Sequence, residues 1–223
     1  MNERTYCRAD SVVFLKTKEA FGGLSNMAGD FPLCVNYIRI RTSEALYQAC
    51  RFPHLPEVQR LIIEQRSPMT AKMKSRKHHQ DSRQDWDWVR VKIMRWCLRV
   101  KLIQNWHTFS ELLLETGDQS IVEQSRKYDF WGAKPVDKQT LVGVNALGRL
   151  LMELREDVKT EGQEAFLQIE PLDISDFFLD GHPIEPVAAP DREVTINAET
   201  SEPLSYPVQT SLPIDMPDPD GRG

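Results

Sequence analysis

No stretch of this chain is apolar for 18 residues, so the sequence holds no candidate membrane span. The opening segment, MNERTYCRADSVVFLKT, has a single short apolar run at residues 12–15 and does not read as a secretory signal. The four cysteines, Cys7, Cys34, Cys50 and Cys97, show no C-x-x-C spacing. A disulfide framework and a zinc site are therefore not expected, and a reducing cytoplasm fits. No repeat of fixed period is present, which excludes a solenoid. The motifs G-x-S-x-G, G-x-x-x-x-G-K-[ST], H-E-x-x-H and G-x-G-x-x-G are all missing. That removes the common serine hydrolase, phosphate-loop, zinc protease and dinucleotide-binding signatures. His78-His79 stand in a basic run that reads as a solvated helix end rather than a metal pair.

What is present is an uneven charge. Residues 1–158 carry 25 Lys/Arg against 19 Asp/Glu, while residues 159–223 carry 3 against 14. A mildly basic body is followed by an acidic tail holding most of the 14 prolines and no tryptophan. Two regions follow: a domain at 1–158 and a Pro-rich tail at 159–223 too acidic to build its own core. Within the tail, Phe166, Leu167, Ile169, Leu172, Ile174, Phe177, Phe178 and Leu179 alternate with Glu170, Asp173, Asp176 and Asp180. Such a segment docks on something, either its own domain or a basic partner protein.

The body reads as short strands followed by helices. Residues 12–16 and 33–41 have a β-branched, partly alternating pattern. Ser43 is placed to cap a helix reaching Phe52, Pro56 to open a second, and Ser67-Pro68 to cap and open a third. From Asp85, the residues Trp86, Val89, Ile93, Trp96, Val100 and Ile103 recur at spacings of 3 and 4, one apolar face over five turns. A further helix ends near Gly117, and Leu147, Leu150, Leu151 and Leu154 form a stripe after Asn145. The expected fold class is α+β, a predominantly helical single domain with a few short strands.

Several polar residues stand out locally. Glu44 falls in the first turn of the Ser43 helix, where a carboxylate either caps the helix or points into a cleft. Asp85 is a cap; Trp86 opens the buried stripe or stacks on a base or sugar. Lys72, as a lone lysine, reads as surface. Asp129-Phe130-Trp131-Gly132 puts two large aromatics in a loop, which closes a core or lines a pocket. Asn145 is placed to cap its helix, whose N–H groups could otherwise receive a phosphate.

Together these pieces resemble the NADAR (YbiA-like) family. The segments that carry the resemblance are Leu24-Ser25-Asn26, Thr42-Ser43-Glu44-Ala45-Leu46-Tyr47-Gln48-Ala49, Ser67-Pro68 with Ala71-Lys72, and Asp85-Trp86-Asp87. They continue with Leu98-Arg99-Val100-Lys101 and Gln104, Leu113 to Asp118, Asp129-Phe130-Trp131-Gly132, and Gly143 to Arg155. They stand in the family's order across roughly residues 11 to 156. Two positions depart from the pattern: Ala45 where the family often has histidine, and Arg51 where it often has lysine.

The resemblance implies an N-glycoside hydrolase acting on a ribosyl group attached to nitrogen. Two substrates are associated with the family: a phosphoribosylaminouracil of the riboflavin pathway, and ADP-ribose on guanine in nucleic acid, removed by antitoxins paired with a DNA-modifying ADP-ribosyltransferase. Breaking a ribose C1–N bond passes through an oxocarbenium-like state, so it needs a carboxylate near C1 and an acid for the leaving nitrogen. Glu44 is then the main catalytic carboxylate, with Asp129 assisting or binding ribose hydroxyls. Lys72 is a proton donor or a Schiff-base former. Trp86 and Trp131 would stack on base or sugar, Asn26 and Asn145 would bind ribose or phosphate, and Asp87 and Gly132 belong to the same binding set. No cofactor or metal is implied, and EDTA insensitivity is expected. The acidic tail and basic body favour ADP-ribosylated guanine in DNA as substrate and a cognate ADP-ribosyltransferase toxin as partner. A non-catalytic module that binds ADP-ribose or NAD, or masks a toxin, is the alternative of another class.

Overall fold

The chain opens with two short strands, β1 (Arg4–Cys7) and β2 (Ser11–Phe14). The computed structural model describes residues 1–127 and 129–190. β3 (Leu33–Val35) and β4 (Ile38–Ile40) form an antiparallel hairpin, where the pattern at 33–41 suggested one strand. The break lies at Asn36 and Tyr37, whose φ values of 49° and 62° are both left-handed, as a tight two-residue hairpin turn requires.

Three helices follow. Thr42 rather than Ser43 caps α1 (Ser43–Ala49), its Oγ1 accepting from the Ala45 N–H at 3.2 Å. Ser43 instead donates to the Asn26 carbonyl at 3.1 Å, tying the helix start to the preceding loop. α2 (Pro56–Ile63) and α3 (Pro68–Lys77) each begin at a proline, which has no N–H to leave unpaired there. α4 (Trp86–Gln104) is the central helix, and all six residues of its expected stripe are buried. Its second half is buried on further sides, through Met94, Cys97, Leu98, Lys101 and Leu102, because α1, α5 (Trp106–Leu114), α6 (Ala146–Glu161) and β3 all pack against it.

Three strands missed by pattern complete the scaffold. β5 (Ser120–Glu123) pairs in parallel with β2, setting Phe14 opposite Glu123. β6 (Lys134–Pro135) and β7 (Thr140–Gly143) join β1 in an antiparallel sheet of order β1-β7-β6. α6 lies on β5 so closely that a Cβ on Gly148 would sit 2.1 Å from the Ile121 carbonyl oxygen. The fold is α+β with helices dominating.

One compact unit spans Met1–Pro190, so the boundary expected after residue 158 falls inside it. Phe166, Ile169, Phe177, Leu179, Ile184 and Val187 are all buried in the main core. This arm makes two small antiparallel pairs, β8 (Gln168–Ile169) with β11 (Val187–Ala188), and β9 (Phe178–Leu179) with β10 (His182–Pro183). The Trp96 indole donates to the Glu170 carbonyl at 2.9 Å and its ring meets Phe177 edge-on. The alternating acid–aromatic stretch therefore docks on its own domain. Residues 191–223, the rest of the acidic tail, lie outside the described residues. Among the described residues, no helix is long and apolar enough to cross a membrane.

Candidate active site

A cleft of about 610 Å³ opens between α1, α3 and the first turns of α4. That size lies within the range of ligand sites, ~300–1,000 Å³. Asn26, Glu44, Lys72, Trp86, Asp87 and Trp131, all singled out in the sequence, line it together.

Glu44 forms the floor and is almost fully buried. Its backbone N–H donates to the Asn26 carbonyl at 2.9 Å, and the Asn26 amide donates to its Oε2 at 2.5 Å. Gln48, one turn later on the same face of α1, donates to Oε1 at 3.0 Å, and its own carbonyl oxygen is held by the Ser75 hydroxyl. Lys72 on α3 completes the set, its ammonium 3.5 Å from Oε1 and half exposed to the cleft. A buried carboxylate is expensive unless its lone pairs are met, and here each oxygen has a donor. Asn26 owes its position to Lys101, fully buried on α4, which donates to the Gly23 and Ser25 carbonyls and lies between the rings of Phe31 and Phe109. Burial pushes the Lys101 pKa well below the usual lysine range.

Glu123, a second carboxylate of the cleft, escaped the sequence reading. It ends β5 at the cleft floor, and burial pushes its pKa up to about 7, with Lys72 opposing and Glu44 reinforcing the shift. Its signal was modest: an acid closing the short β-branched run Ile121-Val122.

Two expected binding residues turn out to grip Glu123 instead. Asn145 stands at the N-cap position of α6, but its side chain makes no capping bond and it does not line the cleft. It is fully buried with φ 51°, accepts from the Glu123 N–H at 3.1 Å and donates to the Ile121 carbonyl at 2.8 Å. Gly132 is also structural: a Cβ there would meet the Glu123 carbonyl oxygen at 2.4 Å. Asp129 lies outside the cleft lining, exposed and ion-paired with Lys134 at 2.8 Å, which holds its pKa below the usual carboxylate range.

The aromatic wall is Tyr47 with Trp86 and Trp131, at ring separations of 5.0 and 5.5 Å. Trp86 is buried, as its place on the α4 stripe implies, and a ring face is taken by the Arg51 guanidinium at 4.7 Å. Arg90 stacks on Phe130 at 3.9 Å and pairs loosely with Asp87 at 3.6 Å. Arg76, His79 and Lys127 add further basic groups, and the exposed Met69 and Met73 form an apolar lip on α3. Among the described residues, no group of three or more His, Cys, Asp or Glu is placed to hold a metal.

A cleft that brings together a buried carboxylate, a partly buried one, two lysines and a basic, aromatic rim is the candidate active site. The NADAR domain profile matches residues 13–159, and the chain belongs to that family. It is 33% identical to the N-glycosidase YbiA of Escherichia coli over 156 residues, covering 68% of this chain and 91% of that one. An N-glycosidase of Nostoc punctiforme is 30% identical over 151 residues, covering 67% and 93%. A riboflavin biosynthesis protein of Vibrio vulnificus is 36% identical over 118 residues, which are 53% of this chain and 30% of that protein. The NMR structure of E. coli YbiA superposes with a TM-score of 0.59 and 33% identity, over 69% of this chain and 88% of the other.

Proposed function

We propose that the protein is an N-glycosidase that removes ADP-ribose from guanine bases in DNA. The coarse activity, hydrolysis of an N-glycosidic bond, is supported by the relatives named N-glycosidases. The observation that carries the chemistry is the Glu44–Glu123 pair. Two carboxyls whose surroundings differ divide acid from base duties. Glu44, held by Asn26, Gln48 and Lys72, faces the anomeric carbon and stabilises the positive charge that grows there. Glu123, protonated up to about pH 7, gives its proton to the leaving nitrogen. The C1–N bond breaks, a water oxygen bonds to C1, and Glu44 takes the proton that water releases. In this scheme Lys72 orients and neutralises Glu44, and the proton donor is Glu123. The basic rim suits the diphosphate of ADP-ribose.

A second reading, hydrolysis of a phosphoribosylaminouracil, is supported by the riboflavin biosynthesis relative. An antitoxin role would rest on residues 191–223, since the arm at 163–190 is occupied by its own domain. The test is incubation with an oligonucleotide bearing ADP-ribosylated guanine and, separately, with the aminouracil nucleotide, following release by mass spectrometry. Release of ADP-ribose by wild type and not by Glu44→Gln is expected. Turnover of the aminouracil alone would replace the DNA reading, and turnover of neither, with retained ADP-ribose binding, would make the protein a binding module.

A further inference from the structure

With Asn145 locked into the scaffold, the phosphate of a ribosyl substrate needs another holder. Arg51 follows Glu44 and Gln48 at spacings of 4 and 3 and lines the same cleft. α1 ends at Ala49 and Arg51 follows in the closing turn, its N–H donating to the Gln48 carbonyl at 3.3 Å, so it stands at the opposite end of the helix from Glu44, toward the far end of a ribosyl phosphate. Its guanidinium is braced, with Nε donating to the Ser82 hydroxyl at 2.6 Å and the plane lying over Trp86. Nη1 lies 3.2 Å from His79 Nε2, and Arg76 of α3 lines the same end.

Among the described residues, neither Arg51 nor Arg76 has a carboxylate partner within ion-pair distance. Asp87, whose charge reaches Arg51, is itself paired with Arg90. The side chain of His78 is turned to Asp81 at 3.6 Å, and the charged groups bearing on His79 are Arg51, just past the end of α1, and Arg76 of α3. A rigid guanidinium held by stacking and a hydroxyl, beside a second arginine and an imidazole, matches the fork geometry of a phosphate.

We propose that the Arg51–Arg76–His79 end of the cleft is a phosphate subsite. The ligand's chemistry, a phosphate on the 5′ carbon of ribose, rests on the N-ribosyl reading above; the cation geometry does not. Burial first, and then Arg51 and Arg76, hold the His79 pKa below its usual value. A phosphate between these groups reverses the electrostatic part, so His79 gains a proton as the ligand enters. Binding of ADP-ribose, whose diphosphate charge is constant from pH 5 to 8, then strengthens as pH falls through the His79 transition.

The experiment follows the His79 imidazole by NMR in the full chain, assigned by its loss in His79→Gln. Ribose, ribose 5-phosphate and ADP-ribose are titrated in turn. Both phosphate compounds are expected to move the His79 midpoint upward, and ribose is not. Response to ribose 5-phosphate alone assigns the subsite to a phosphate monoester, and response to ADP-ribose alone to a diphosphate. Arg76→Ala, an exposed site with little bearing on folding, and Arg51→Lys, which keeps the cation but loses the fork, are each expected to weaken ADP-ribose about tenfold. An unmoved His79, or unchanged affinity in both variants, overturns the proposal. If ADP-ribosylated guanine is hydrolysed while His79 stays silent, the subsite falls and the N-glycosidase reading stands. A His79 response without hydrolysis leaves the subsite and removes that reading.

Discussion

At the scale of single residues, the cleft separates two glutamates by their partners. Glu44 has donors on both oxygens, so Glu44→Gln keeps the shape and places an amide N–H where Asn26 or Gln48 now donates. The expected result is a fall in kcat of about 100-fold or more, with substrate affinity little changed, read by single-turnover kinetics. Glu123 carries the pH dependence. Its pKa is raised in the folded protein from 4.5 to about 7, so between those values the folded state holds a proton that the unfolded chain has released. Stability therefore declines as pH rises from about 4.5 to about 7 and levels off above, by up to ~3 kcal/mol. Glu123→Gln should flatten that slope in denaturant titrations, and the loss of kcat/KM expected of the wild type above about pH 7 should be absent from the variant. An alkaline limb that persists in the variant would take the proton-donor role away from Glu123.

At the scale of elements, periodicity was the dependable guide. The stripe of α4 is buried throughout because six apolar residues at helical spacing leave one face no other place to go. β5 was illegible for the opposite reason: four residues, Ser120–Glu123, are too few to show alternation, and their pairing with β2 spans more than a hundred residues of sequence. Missing β5 meant missing Glu123, and it also hid the contacts that Asn145 and Gly132 make with the β5 backbone. Asn145→Ala tests those contacts. It would leave the Glu123 N–H and the Ile121 carbonyl without their partner, costing about 2 kcal/mol or more in chemical denaturation. As a scaffold residue it should lower kcat while leaving ADP-ribose affinity intact. A selective loss of affinity with unchanged stability would restore it as a ligand group. Lys101→Met is argued the same way: two buried carbonyls in the loop before Asn26 lose their donor, so stability and kcat fall together.

At the scale of the whole molecule, composition misplaced the end of the domain. Acid and proline content average over the tail, whereas burial is decided residue by residue. The arm at 163–190 keeps an irregular course because its backbone groups find partners without long strands. The Gln59 side chain donates to the Phe178 carbonyl at 2.9 Å and accepts from the Asp180 N–H at 2.7 Å. The Arg83 guanidinium donates to the Ser175 carbonyl, and the Arg83 N–H donates to the Arg51 carbonyl at 3.0 Å, so the arm also braces the strand of chain behind the phosphate-binding arginine. Six buried apolar side chains, at ~1.5–3 kcal/mol each, rival the 5–15 kcal/mol that holds a typical domain together. A chain ending after Gly162 should therefore be insoluble or lack a cooperative melt, despite containing the matched family region at 13–159. A chain ending after Pro190 should keep the melting temperature and the N-glycosidase turnover of the full protein. Should the shorter chain melt like the full one, the arm would be an appendage resting on a finished domain, and the boundary read from composition would be the correct one.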